Sequence, residues 1–105
     1  MDEPQYYVAG GVRRSVAARE AGAATLPAML FRDGFPPQPI DVPLAALHVP
    51  ETKDVISRTS SRYRQVLVDL PRILTGTMNA PIEVQPLGAR GQSASIPLAA
   101  VRLEL

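Results

Sequence analysis

Leu26-Pro27-Ala28-Met29-Leu30-Phe31-Arg32-Asp33-Gly34, followed closely by Pro39-Ile40-Asp41-Val42-Pro43-Leu44, is the stretch that decides the fold. The first apolar run stops at Asp-Gly, a strong turn signal, because both residues tolerate the backbone angles a tight reversal needs. In the second run Ile40, Val42 and Leu44 fall on one face at a period of two, the mark of a half-buried strand. Together they predict an antiparallel hairpin over residues 27–44. Pro39 and Pro43 carry no N–H for a ladder, so the second strand belongs at a sheet edge, or has those positions facing outward.

Other strands follow outward from this hairpin. Gln5–Ala9 is short and aromatic, Ala80–Gln85 alternates, and Ser95–Leu105 ends with Val101, Leu103 and Leu105 inward against Arg102 and Glu104 outward. Leu87-Gly88-Ala89-Arg90-Gly91-Gln92 between the last two reads as their hairpin connection. In Tyr63–Leu70 the alternation of Val66, Val68 and Leu70 also predicts a strand. Residues 10–26 read as one short, imperfect helix or a basic loop, and residues 51–61 as a short helix or loop. Eleven prolines, spread along the chain, exclude a helical bundle. No internal repeat is visible. The expected fold is mainly β: one domain over residues 1–105, a small six-stranded β-barrel with one or two short helices.

Composition removes several classes of function. The chain has no cysteine, hence no disulfide framework and no thiolate nucleophile. His48 is the one histidine, which excludes a multi-histidine metal centre. It reads as a surface or loop residue and not as a base. No phosphate-loop, HExxH or GxSxG pattern occurs. Gly88-Ala89-Arg90-Gly91 lacks the lysine and following helix of a phosphate loop. No metal or organic cofactor, small-molecule substrate or enzymatic activity is expected. No apolar run approaches the roughly 20 residues that span a bilayer. Met1-Asp2-Glu3-Pro4 is acidic, unlike a secretory signal or an Arg-rich transit peptide.

The net charge is only +1, yet ten of the eleven basic residues are arginine, and they cluster. Arg13, Arg14 and Arg19 lie in a stretch without acids. Lys53, Arg58, Arg62, Arg64 and Arg72 outnumber Asp54 and Asp69. Arginine offers a planar fork that bridges phosphate oxygens or stacks on a base. If residues 62–66 are extended, Arg62 and Arg64 share one face and Tyr63 packs on the other. The bland alternative is a solvated surface.

The segment Arg13–Phe31, with its basic stretch, spacer and Leu26-Pro27-Ala28-Met29-Leu30-Phe31, resembles the bacterial-type large-subunit ribosomal protein twenty-five family, also called the general-stress CTC family. Pro39-Ile40-Asp41-Val42 matches the second strand of that pattern, and the resemblance covers about residues 8–48. Arg14 and Arg19 fall on its basic positions, while Ala18 and Ala21 stand where the family has arginines. The resemblance implies a small barrel that binds 5S ribosomal RNA beside neighbouring ribosomal proteins. The low charge favours a mitochondrial ribosome over a bacterial one. Phosphate contacts are expected from Arg13, Arg14, Arg19 and Arg32, then Arg62 and Arg64. The alternative is a small β-barrel protein–protein assembly module, such as a phage head or tail component.

Overall fold

A computed structural model describes residues 3–92 and 94–105. Among the described residues are two α-helices and eight short strands. The first half runs β1 (Tyr6–Gly10), α1 (Val12–Glu20), β2 (Thr25–Leu30), β3 (Gln38–Pro43), a 3₁₀ turn (Leu44–Ala46) and β4 (Leu47–Pro50). After a second 3₁₀ turn (Glu51–Lys53) come β5 (Val55–Ser57), α2 (Ser61–Thr75), β6 (Ile82–Pro86), β7 (Ser95–Pro97), a third turn (Leu98–Ala100) and β8 (Arg102–Glu104). Six strands form a mixed sheet in the order β3-β2-β6-β1-β4-β7, and β5 pairs with β8 in a separate parallel ladder. Strands β3 and β7 are the edges of the larger sheet, and no pairing joins them, so among the described residues it is open.

The deciding hairpin forms as read. β2 and β3 are antiparallel with Ala28 opposite Ile40, Gly34 takes a left-handed φ of 81° in the loop, and proline-bearing β3 lies at the edge. Leu26, Ala28 and Leu30 alternate into the core with Val42. Its other members include Val8, Val16, Leu47, Val49, Ile82, Val84 and Leu98.

Residues 63–70 are helical, which corrects the expected strand. Ser60 caps the helix by accepting the Tyr63 N–H at 3.1 Å, and Gly76 ends it at φ 77°. The true period is helical: Tyr63, Leu70 and Ile73 are buried and Val66 is half-buried, whereas Val68 is 70% exposed. Pro71 lies inside this helix. Its ring deprives Leu67 of an N–H partner, but both residues are on the exposed face, where water can solvate the carbonyl.

The last two segments also differ from expectation. β6 hydrogen-bonds β1 on one side and β2 on the other, so no edge remains for β7. β7 instead pairs with β4 at the opposite side of the sheet. The long terminal strand breaks after Pro97 into a 3₁₀ turn and β8. Val101 is buried, Leu103 is half-buried and Leu105 is 93% exposed, not inward.

The chain does contain a repeat. The order β-α-β-β-3₁₀-β occurs twice. Val42-Pro43-Leu44-Ala45-Ala46-Leu47-His48-Val49 and Ile96-Pro97-Leu98-Ala99-Ala100-Val101-Arg102-Leu103 form the same strand–turn–strand corner. In each, proline ends a strand and the next leucine is buried: Leu44 in one, Leu98 in the other. Each corner leads into a strand parallel to the first strand of its own half. β4 sets His48 opposite Tyr7, and β8 sets Arg102 opposite Val55. The two helices pack on each other. The halves diverge in their hairpins, since β2 and β3 pair but β6 and β7 do not.

Gly11 ties the first helix to the sheet. It precedes α1 at φ 98°, and a Cβ there would meet Ile82 Cγ2 at 2.6 Å. Gly22 also has positive φ, but a Cβ there meets nothing within 4 Å. Gly22→Ala should therefore cost about 1–2 kcal/mol, the left-handed backbone alone. Gly11→Ala should cost a further ~1–3 kcal/mol for displacing Ile82. Urea unfolding of both variants measures the difference.

Candidate nucleic-acid interface

The expected arginines divide into those spent inside the fold and those left outside. Arg14 reaches from α1 to the chain entering β6, where its Nη1 donates to the carbonyls of Ala80 at 2.8 Å and Pro81 at 2.9 Å. Arg19, five residues further on, donates to the Leu98 carbonyl of the second corner and pairs with Glu20 at 2.7 Å. Both are half-buried. Their guanidinium groups therefore join the two halves, which commits part of each fork inside the fold. Arg13, also half-buried, has no hydrogen-bond or ion-pair partner among the described residues.

Arg62 and Arg64 are exposed on α2. Two residues apart on a helix, they point to different sides, about 200° apart, so the shared face expected of a strand does not form. Tyr63 between them packs into the core as expected, although from a helix. Burial, and then the charge of Glu20, push its hydroxyl above the ordinary value near 10.0, against smaller opposite effects of Arg58 and Arg19. His48 lies on β4, not in a loop, and its Nε2 is 3.0 Å from Gln5 Oε1.

Arg32 belongs to a different constellation. Its guanidinium stacks over the Phe35 ring, 4.5 Å from the centroid, and Nη2 donates to Gln38 Oε1 at 3.3 Å. It lines a cleft of about 430 Å³ together with Phe31, Asp33, Gln85, Pro86, Ala89 and Arg90. Phe31 is 37% exposed and Phe35 60%. The Phe31 N–H donates to the Val84 carbonyl at 2.9 Å, continuing the β2–β6 pairing to the cleft edge. On the other wall, Gln92 braces the loop after β6. Its Oε1 accepts from the Gly88 N–H at 2.8 Å, and its Nε2 donates to the Pro86 carbonyl at 2.8 Å. Arg90, between these anchors, is exposed and has no partner among the described residues. A second cavity, about 360 Å³, lies between the β2–β3 hairpin and residues 76–81; Met29, Ile40 and Met78 line it beside Asp41 and Asn79, so its wall is mixed.

Comparisons with protein-family models, curated proteins and solved structures found no match. The site therefore rests on its own chemistry. An exposed aromatic ring beside two arginines in a cleft suits an anionic ligand with a flat ring. Sequence reading included Arg32 but missed Arg90 and the two phenylalanines. The available signal was the repeat, which makes 31–37 and 87–94 the loops that follow equivalent strands, β2 and β6. Among the described residues, no cluster of three or more histidines or acids could hold a metal, and no helix is long and apolar enough to cross a membrane.

Two stability measurements separate the roles. Arg14→Ala leaves two carbonyls without a donor and should cost about 1–3 kcal/mol. Arg62→Ala should stay within ~0.5 kcal/mol in the same urea series. Tyr63 contributes a pH dependence. Because its folded value is raised, its contribution to stability is full below about pH 10 and is lost as pH rises through the folded value. A Tyr63→Phe variant should lose less stability than the parent chain between neutral pH and pH 11.

Proposed function

We propose that the protein is a non-enzymatic RNA-binding constituent of the large ribosomal subunit, with 5S ribosomal RNA as its ligand. The observation that carries RNA binding is the 430 Å³ cleft, which Arg32, Arg90 and the exposed Phe31 line together. The choice of 5S RNA comes from the resemblance over residues 8–48. The sheet-rich fold agrees with the reading, but the six-stranded sheet is open and is not the closed barrel the resemblance implies. Arg13, Arg62 and Arg64 are unpartnered among the described residues and supply secondary phosphate contacts. Arg14 and Arg19 position structure instead. The modest charge of +1 favours a mitochondrial subunit, in which protein neighbours replace some RNA contacts.

A second reading, a protein–protein assembly module, draws on Leu67 and Val68, two apolar side chains exposed on α2. In the ribosomal reading the same face meets a neighbouring ribosomal protein.

Affinity for a 5S ribosomal RNA transcript, measured at several salt concentrations, tests the proposal. Arg32→Gln and Arg90→Gln should each flatten the log–log salt slope by about one unit or slightly less. An Arg14→Ala/Arg19→Ala pair should lower thermal stability and leave the slope unchanged below its melting temperature. A chain that binds no RNA above background and sediments only with proteins would support the assembly module instead.

A further inference from the structure

The cleft contains more than an anion site needs. Two cations would serve for phosphate, yet Phe31 and Asp33 line the same cleft. Asp33 is exposed and has no hydrogen-bond or ion-pair partner among the described residues. Placing a carboxylate beside a phosphate is unfavourable unless the ligand also presents hydrogen-bond donors. An acidic peptide would satisfy the arginines but oppose Asp33, and it has no flat ring to cover Phe31. The occupant must therefore combine negative charge, a planar ring and a donor edge.

A nucleotide in a continuous duplex does not meet these requirements. Its ring faces are covered by its neighbours and its Watson–Crick donors are already paired, so sequence recognition in RNA relies on unpaired bases. Among unpaired bases, guanine has two adjacent N–H donors on its Watson–Crick edge, matching the two oxygens of a carboxylate. We infer that this cleft takes a single unpaired guanosine of an RNA strand. Its base stacks on Phe31 and donates to Asp33, and its flanking phosphates meet Arg32 and Arg90. A volume of about 430 Å³ lies in the range of small-ligand sites.

The groups are held before any ligand arrives. The Phe31 main chain is fixed by its bond to Val84, the Arg32 side chain by Phe35 and Gln38, and the loop carrying Arg90 by Gln92. Each restraint removes an ordering cost that binding would otherwise incur. The two walls are the loops after β2 and β6, strands that hydrogen-bond each other in parallel and so end on the same side of the sheet. This inference rests on the RNA-binding reading and narrows it to one kind of nucleotide.

Three RNA hairpins with one common stem provide the test: fully paired, with one bulged guanosine, and with one bulged uridine. Fluorescence anisotropy at fixed salt gives the dissociation constants. The bulged-guanosine hairpin should bind about tenfold more tightly than the paired one, the scale of one base–aromatic stack. Phe31→Ala should remove that advantage. Asp33→Asn should bring guanosine and uridine close together while leaving both above the paired hairpin. Phe31→Leu keeps apolar packing and should behave like Phe31→Ala, which separates lost stacking from a disturbed fold. Equal, salt-dependent binding of all three hairpins would overturn the guanosine site and leave RNA binding intact. Failure to bind either the hairpins or a complete 5S transcript would overturn both.

Discussion

Buried carbonyls need donors, and this chain has removed many of its own. Each of its eleven prolines lacks an N–H, and several stand where the chain turns toward or away from the sheet. Pro81 precedes β6, and Pro97 precedes the corner containing Leu98. The carbonyls of Ala80 and Pro81 receive donors from Arg14, and the Leu98 carbonyl, which already accepts the Val101 N–H at 3.1 Å, receives a second from Arg19, on a helix more than sixty residues earlier. A guanidinium carries five N–H groups in a rigid fork, so one side chain can serve two neighbouring carbonyls. These bonds clamp the first half onto the second. α1 can approach closely because Ala17 and Ala18 beneath it are fully buried and Gly11 has no Cβ to strike Ile82.

The same constraint explains which parts of the fold were legible. Local signals identified the β2–β3 hairpin, with Asp33-Gly34 marking the turn and Pro39 and Pro43 marking the edge. α2 was misread because Val66, Val68 and Leu70 satisfy a period of two, while Val66, Leu70 and Ile73 fit a helix equally well. The Ser60 cap favours the helix, and Pro71 opposes it only where a freed carbonyl would be buried. The partners of β6 and β7 were not legible, because strand order depends on which edges remain free after other strands have paired. The repeat went unread: its trace in the sequence is the pair of Pro-Leu-Ala-Ala corners, too short to stand out while α1 and α2 share little beyond being helices.

The candidate site was harder to read for a related reason. An arginine that satisfies a distant carbonyl and one that awaits a phosphate look alike in sequence. Arg14 and Arg19, on basic positions of the family pattern, had the strongest sequence claim, and the structure gives them internal partners. Arg90 had almost none, because a lone arginine between glycines reads as part of a turn. Its place opposite Arg32 depends on β2 and β6 lying side by side, a contact between the halves that no local window contains.

Divergence between the halves then accounts for the cleft. The first half closes β2 and β3 into a regular hairpin, so its loop is held at both ends by strand pairing. In the second half β1 takes the side of β6 that a hairpin partner would use, and β7 leaves for β4. The connecting loop must bridge that separation, and the bonds of Gln92 to Gly88 and Pro86 fold its first part back over the end of β6. One loop thus carries Phe31, Arg32 and Phe35 between paired strands, while the other carries Arg90 between strands that do not pair. Two regular hairpins would have directed two similar loops away from the sheet. Unequal loops on adjacent parallel strands leave a recess between them, bordered by arginines from both halves.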